Sequence, residues 1–307
     1  MKNNTNNIEV NLNEINSLAQ SNPARLVVNS EEFYKRQIKS LVSTFCSSQK
    51  KYRFIMLAGP SSAGKTTTSS LIRRRLMDQG INTLVISLDN FFVDRDKTPK
   101  LSDGTFDFES IFALDLECYN TFLGDLLKDG RAMMPEFDFL TGTRKEKMIE
   151  IEADENTVVI FEGIHALNPL LIDRKFDDVI FKVYLSIGAD VFYNKKLLIP
   201  AKTLRLMRRI LRDHQTRGHS VVATLEMWPN VLAGEDKYIR PFKSTVDFSI
   251  NTMHFYEPLL YASHLLPLLA RTEDKRVEPL KKALEKCVKL SKHCVPRSSL
   301  LWEFLVM

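Results

Sequence analysis

The octapeptide Gly59–Thr66, GPSSAGKT, constrains the fold of this chain more than any other feature. It fits the pattern G-x-x-x-x-G-K-[ST], follows an apolar segment at 53–58, and opens a helical pattern at about 65–79. In such a setting the backbone N–H groups point at phosphate oxygens, and the helix N-terminus adds partial positive charge. We therefore predict a nucleoside-triphosphate site, in which Lys65 reaches the β- and γ-phosphates and the Thr66 hydroxyl binds Mg²⁺. The residues assigned to this loop are Gly59, Ser61, Ser62, Ala63, Gly64, Lys65, Thr66 and Thr67.

The remaining pattern predicts an α/β fold. Apolar segments typical of buried strands occur at 53–58, 83–88, 157–161 and 179–185. Helical patterns occur at about 31–48, 65–79, 115–129, 188–197, 202–217 and 256–270. Buried strands that alternate with helices favour a parallel sheet of the P-loop NTPase type, with helices on both faces.

The two ends of the chain are predicted to be extensions of this domain. The Asn-rich first dozen residues are expected to fray, and a basic helical stretch runs from Lys281 to Lys292. We divide the chain into an N-terminal helical extension (1–50), a P-loop domain (51–275) and a C-terminal helical extension (276–307).

Composition limits the partners and the compartment. The 307 residues carry a net charge of +5, which does not by itself imply a nucleic-acid partner. The four cysteines form no C-x-x-C pair, as expected of a reduced intracellular protein. The longest apolar stretch, 258–270, is too short to span a bilayer, and the N-terminus has no apolar run. We expect a cytoplasmic protein without a membrane partner, and the sequence leaves open whether it forms a homo-oligomer.

Two acidic residues follow predicted strands. Asp89 comes directly after the strand at 83–88, and Glu162 closes the strand at 157–161. In open α/β sheets ligands bind at the carboxyl ends of the strands. A kinase needs carboxylates there to accept the proton of an acceptor hydroxyl or to hold Mg²⁺. The alternatives are that Asp89 caps the next helix and that Glu162 lies in an ordinary strand-end turn.

A basic stripe follows on the helix predicted at 202–217. Its members are Lys202, Arg205, Arg208, Arg209, Arg212 and Arg217, and Asp213 is the only acid between Lys202 and Arg217. The spacing puts most of the arginines on one helical face, where planar guanidinium groups suit phosphate contacts. We interpret the stripe as an arginine-rich helical lid over a transferring phosphoryl group. A solvated helix face and a nucleic-acid contact are the alternatives.

The class of P-loop protein can be narrowed. A GTPase usually carries N-K-x-D, whereas the nearest string here, Asn194–Leu197, lacks the Asp. Further motifs are SLDNFF (87–92), FDFES (106–110), MPEFDF (134–139), FEGI (161–164), RLMRRILRD (205–213), TLEMWP (224–229) and GEDKYI (234–239). From about residue 50 onward the chain thereby resembles the uridine kinase/phosphoribulokinase family, and within it the bacterial-type uridine kinase-like branch.

The resemblance implies ATP- and Mg²⁺-dependent phosphorylation of the 5′-hydroxyl of uridine or cytidine, as in pyrimidine salvage. Asp89 corresponds to the general base and to a metal-side carboxylate alongside Thr66 and Glu162. Asp107 corresponds to the carboxylate that holds the ribose hydroxyls. Arg209 aligns with a substrate-side arginine, and Arg212 and Arg217 align with phosphate-side lid arginines. Phe137 and Phe139 fall where the family lines its base pocket, and Arg144 matches a basic position there whose role we do not assign.

The positions that read the base depart from the family. Gly142 stands in place of a His, His219 and Met227 stand in place of an Arg and a Gln, and Phe92 replaces a Tyr. Three functions therefore stay open. The first is a uridine or cytidine kinase, and the second is a kinase of another small hydroxyl metabolite. The third is a catalytically weak regulatory protein that binds nucleotide or RNA through the lid and the basic C-terminal helix.

Overall fold

The computed structural model describes residues 8–171 and 174–305, except for the side chains of 174–176. The strands are β1 (Ile8–Asn11), β2 (Phe54–Ala58), β3 (Thr83–Ser87), β4 (Arg131–Met134), β5 (Phe137–Asp138), β6 (Thr143–Arg144), β7 (Ile149–Glu152), β8 (Val158–Gly163), β9 (Ile180–Ser186), β10 (Ala189–Tyr193), β11 (Lys196–Ile199) and β12 (Phe248–Asn251). The α-helices are α1 (Leu12–Ser21), α2 (Pro23–Cys46), α3 (Lys65–Met77), α4 (Leu116–Asp129), α5 (Ala201–Thr216), α6 (Val221–Tyr238), α7 (Glu257–Ala270) and α8 (Glu278–Leu284).

A five-stranded parallel sheet with the order β12-β9-β2-β8-β3 forms the centre of the molecule. Every residue of β2 is buried, and alternate side chains enter two different apolar clusters. Ile55 and Leu57 pack on the face that carries α2, α3, α5 and α7, whereas Phe54 and Met56 pack on the face that carries α4. The predicted α/β fold with helices on both faces is confirmed. Strand β12 was not predicted.

A second sheet, with the order β1-β10-β11, corrects two predictions. The helix predicted at 188–197 is wrong, because this segment forms the hairpin of β10 and β11. Asn194 and Lys195 have φ values of 50° and 64°, as a tight hairpin turn requires. Part of the segment expected to fray is ordered: β1 pairs with β10, and the Asn11 side chain accepts a hydrogen bond from Asn13 N at the start of α1. Residues 1–7 lie outside the described residues.

The basic C-terminal helix is shorter than predicted, because α8 ends at Leu284. Beyond it, tertiary hydrogen bonds replace helical ones. The Asn16 side chain bonds the backbone of Lys286 at 2.8 Å and of Val288 at 2.9 Å, and Leu290 N donates to Leu259 O at 3.1 Å.

Both ends of the chain pack on the central domain. One apolar cluster extends from Val10 to Leu305 and includes residues of the sheet and of α3. On α2, the Tyr34 hydroxyl lies 2.7 Å from the Thr68 hydroxyl on the helix that follows the phosphate loop. The boundaries at 50 and 275 fall in connecting segments and stay a prediction. None of the described helices is both long and apolar enough to cross a membrane.

Candidate active site

The phosphate-binding loop connects β2 to α3. Its backbone follows a path that needs positive φ at Ser62 (61°) and Gly64 (90°). A Cβ at Gly59 would lie 2.7 Å from the carbonyl oxygen of Leu185, so only glycine fits there. The first helical hydrogen bond of α3 runs from Thr68 N to Gly64 O, 3.1 Å. The N–H groups of the first turn therefore have no partner within the helix and can donate to an anionic group.

Asp89 and Glu162 lie beside this loop at the carboxyl edge of the sheet. Burial and the neighbouring charge of Asp89 raise the pKa of Glu162 to about 7, although Lys65 and a hydrogen bond from Ser87 act in the opposite direction. Asp89 and Glu162 supply carboxylate oxygens, the ligands that Mg²⁺ prefers, and Thr66 at the start of α3 is the hydroxyl that the sequence assigns to the same cation. A bound divalent cation would favour the ionised form of Glu162, which burial disfavours.

Two arginines of α5 contact the phosphate loop directly. Arg209 donates to the Ser61 hydroxyl at 3.0 Å, and an Nη atom of Arg212 lies 3.5 Å from the same oxygen. Asp213, which is fully buried, accepts a hydrogen bond from Arg212 at 2.8 Å and forms ion pairs with Arg209 at 3.1 Å and Arg217 at 3.7 Å. Although burial alone would raise it, the three arginines hold the pKa of the Asp213 carboxyl below its usual range.

The charge balance of this cluster leaves it cationic. Three arginines share one carboxylate, and burial together with the charge of Arg212 lowers the pKa of Arg217 to about 10. Such a cluster attracts anions, and phosphate oxygens would supply the missing negative charge.

The other two arginines of the stripe have different partners. Arg208 is completely buried and is bonded to Glu257 by two hydrogen bonds of 2.5 and 2.8 Å. One Nη also donates to Thr252 O at 2.8 Å, and the other lies 3.2 Å from the Thr252 hydroxyl and 3.4 Å from Ser62 O in the loop. Arg205 is paired with buried Glu235 of α6. The partners lie on other helices, so the stripe divides into a buried structural part and a part that faces the site.

A cavity of about 430 Å³ begins at the phosphate loop and extends between α5, α6 and the β5–β6 hairpin. It is lined by Ser61, Lys65, Asp89, Phe92, Val93, Arg95, Thr98, Phe108, Glu109, Phe137, Phe139, Leu140, Ile164, Arg209, Arg212, Arg217, His219 and Met227. The phosphate end is charged, whereas aromatic side chains line much of the opposite end. A cavity with one charged and one aromatic end suits an acceptor that has a reactive hydroxyl and an apolar or planar body.

Of the predicted substrate residues, some line the cavity and others do not. Phe137 and Phe139 line the cavity, and Arg217 lies 5.1 Å from the ring of Phe139. Asp107 and Arg144 are not among the lining residues. Asp107 accepts a hydrogen bond from the Tyr238 hydroxyl at 3.2 Å.

Arg144 supports the segment that follows Asp89. It forms an ion pair of 3.0 Å with Asp115 and donates to the carbonyl oxygens of Phe91 (3.0 Å) and Phe92 (2.9 Å). Its guanidinium thereby fixes the backbone next to Asp89 rather than facing the cavity.

Sequence reasoning missed two charged residues of the cavity. Arg95 lies where a side chain at position 142 would be: a Cβ on Gly142, whose φ is +74°, would lie 2.6 Å from the Arg95 Cζ. Glu109 lines the cavity under α6, and burial raises the pKa of its carboxyl. Its Oε2 and the Nδ1 of His219 have no hydrogen-bond partner among the described residues. Arg95 belongs to none of the sequence motifs, whereas Glu109 lies within FDFES (106–110), from which only Asp107 was predicted to be a site residue.

A family model described as "Phosphoribulokinase / Uridine kinase family" matches residues 54–256, from the first strand of the sheet to the residue before α7. The chain belongs to this family. A uridine kinase from Macrococcus caseolyticus is 29% identical over 201 residues, which cover 65% of this chain and 88% of that protein. A uridine kinase from Ureaplasma urealyticum is 26% identical over 197 residues, covering 64% of this chain and 86% of the relative.

Among solved structures, a possible uridine kinase from Bacillus stearothermophilus aligns with a TM-score of 0.48 at 19% identity. The alignment covers 70% of this chain and 98% of that structure. Family membership indicates an ATP-dependent kinase of a small molecule. The family description names two kinds of kinase, phosphoribulokinase and uridine kinase, which have different acceptors. Membership alone therefore does not identify the acceptor of this chain.

Proposed function

We propose that this protein transfers the γ-phosphoryl group of ATP to the 5′-hydroxyl of uridine or cytidine. The observation that carries the proposal is the convergence on one cavity of the phosphate loop, Asp89 and the arginines of α5. Each element serves phosphoryl transfer: the loop and Asp89 follow strands of the central sheet, and the arginines come from α5.

In the proposed reaction Lys65 and the N–H groups of the loop bind the phosphates. Arg209 and Arg212, already 3.0 and 3.5 Å from the Ser61 hydroxyl, stabilise the charge on the transferring group. Asp89 accepts the proton of the acceptor hydroxyl as its oxygen attacks the γ-phosphorus, and ADP leaves. Mg²⁺, held by Thr66, Glu162 and Asp89, would neutralise phosphate charge when bound.

The apolar end of the cavity supports a nucleoside acceptor. The rings of Phe92, Phe137 and Phe139 meet edge to face, with centroids between 5.2 and 6.3 Å apart. Together they form an aromatic wall against which a planar base can pack. Asp107 would bind the ribose hydroxyls through its remaining acceptor positions, since its Oδ2 already accepts a hydrogen bond from Tyr238.

A specific observation favours a second acceptor class. Arg95 lines the aromatic end of the cavity, donates to Phe139 O at 3.0 Å and forms no ion pair with a described carboxylate. A guanidinium without an acidic partner suits a carbonyl, carboxylate or phosphate group on the acceptor. The second candidate is therefore a small hydroxyl metabolite that carries an anionic group.

The test is ADP release by the purified protein with Mg²⁺ and ATP, in the presence of uridine, cytidine, purine nucleosides, anionic sugars or no acceptor. Strong stimulation by uridine or cytidine alone supports the proposal. Stimulation by an anionic sugar alone supports the second candidate. Nucleotide binding with no stimulation by any acceptor would reject both, and RNA affinity that falls steeply with salt would then favour a regulatory protein.

A further inference from the structure

The C-terminal segment 299–305 packs directly on the phosphate loop. Leu300 is fully buried against the loop, and a Cβ at Gly64 would lie 2.5 Å from its Cδ1. Leu301 is also completely buried, and the Phe304 ring lies 5.0 Å from the guanidinium carbon of Arg208. Ser299 continues the contact, since its hydroxyl lies 3.2 Å from the buried Tyr256 hydroxyl.

Glu303, in the middle of this segment, presents its carboxylate to the start of α3. Its Oε2 accepts a hydrogen bond from Thr67 N at 3.2 Å and a second from the Thr67 hydroxyl at 2.8 Å. Thr67 N is one of the first-turn N–H groups that have no partner within the helix. The carboxylate oxygen therefore stands where a phosphate oxygen of a bound nucleotide would be expected.

The charge of Glu303 also affects the site. The Glu303 carboxylate brings a negative charge to the first turn of α3, 2.8 Å from the Thr67 hydroxyl. A negative charge at this place opposes the approach of a polyphosphate.

We propose that Glu303 is a determinant of nucleotide affinity, because its carboxylate occupies the Thr67 donors that a nucleotide phosphate would use. The inference rests on the proposed nucleotide site. Binding of ATP or ADP then requires the Glu303 side chain to turn away, while Leu300, Leu301 and Phe304 keep the segment attached. Glu303 lowers the affinity of the free enzyme without taking part in the transfer.

The test is calorimetric titration with ADP and Mg²⁺ in the absence of any acceptor, comparing wild type with Glu303→Gln and Glu303→Ala. Hydrogen bonds to charged groups are strong, so we expect Glu303→Ala to bind ADP about ten-fold more tightly than wild type. Glu303→Gln keeps an acceptor oxygen but loses the charge, and we expect a smaller gain. The exposed Glu285→Gln, which changes the net charge equally, serves as the matched control and should bind as wild type does.

A purely structural role for Glu303 gives a different result. A carboxylate that only stabilises the first turn of α3 would lower the melting temperature when it is removed and leave ADP affinity unchanged or weaker. Equal or weaker ADP binding by both Glu303 variants would overturn the inference, whereas the proposed function would still be supported by acceptor-dependent ADP release. Nucleotide binding without such release would overturn the proposed function alone.

Trp302 offers a second readout next to Glu303. Its indole donates to Pro296 O at 2.8 Å and is partly buried. Nucleotide binding that displaces Glu303 should change the tryptophan fluorescence of wild type, and Trp302→Phe should remove that change. The other tryptophan, Trp228, is buried on α6 and contributes its own signal, so only the difference between wild type and Trp302→Phe reports on the segment. The absence of any such difference would contradict displacement of the segment's side chain.

Discussion

Glu162 lies beside Asp89 at the carboxyl edge of the sheet, and burial together with the charge of Asp89 raises the pKa of Glu162 to about 7. Coordination of Mg²⁺ needs the ionised carboxylate, so the proton of Glu162 must leave when the cation binds. Affinity for Mg²⁺ should therefore rise as the pH rises through about 7 and level off above it.

The measurement for this prediction is the Mg²⁺ dependence of nucleotide binding as a function of pH. Below the pKa we expect the Mg²⁺ affinity to fall by up to about ten-fold per pH unit. Glu162→Gln provides the control, since it should bind Mg²⁺ weakly and without this pH dependence. The same pH profile in wild type and Glu162→Gln would mean that another group titrates.

The two parts of the arginine stripe should respond differently to substitution. Arg208→Met leaves Glu257 buried without its partner, and breaking a buried ion pair lowers the free energy of unfolding by about 3–5 kcal/mol. Arg212→Met should lower the unfolding free energy less, because buried Asp213 keeps Arg209 and Arg217 as partners. It should lower kcat by about a hundred-fold or more, because a positive charge that stabilises the transferring group is lost. Urea unfolding and steady-state kinetics measure the two effects. A large loss of stability in Arg212→Met, or normal stability in Arg208→Met, would contradict the division of the stripe into a buried structural part and a part that faces the site.

Gly142 and Arg95 should act as one unit. Gly142→Ala adds a Cβ 2.6 Å from the Arg95 guanidinium, at a backbone position whose φ is +74°, so Arg95 must move. We expect Gly142→Ala and Arg95→Ala to raise the acceptor KM by a similar factor, about ten-fold, and to leave the KM for ATP unchanged. The double variant should be no worse than either single variant. Additive effects on the acceptor KM would show that Arg95 and Gly142 act separately.

Much of the fold could be predicted because its signals are local. The buried strands β2, β3, β8 and β9 are continuous apolar runs, and the phosphate loop is a contiguous motif. The hairpin of β10 and β11 was mistaken for a helix because its stability depends on pairing with β1, about 180 residues earlier in the chain.

The site could be predicted only where its residues belong to a motif. The sequence could not separate Arg208 from Arg209, because the carboxylate that binds Arg208 is 49 residues away on another helix. Glu303 is 236 residues from Thr67, so no local pattern links them. Arg95 likewise lines the cavity because Gly142 has no side chain to displace it, and no sequence motif shows this relationship.

Asp89 is the residue on which the proposed chemistry depends most. Asp89→Asn keeps the size of the side chain and removes its ability to accept the proton. Because general base catalysis contributes about 10²–10⁴-fold, we expect kcat to fall by that order while ADP binding is retained. Asp125→Asn, which changes an exposed acid of α4 outside the lining of the cavity, is the control and should keep its activity. Normal turnover by Asp89→Asn would reject the role of this carboxylate.

The most direct test of the central claim is identification of the product by phosphorus NMR after wild-type protein is incubated with Mg²⁺, ATP and uridine or cytidine. The account predicts a 5′-phosphate monoester formed in equal amount to ADP, and almost none with Asp89→Asn. ADP accompanied only by inorganic phosphate, or a phosphoester at another hydroxyl, would contradict it.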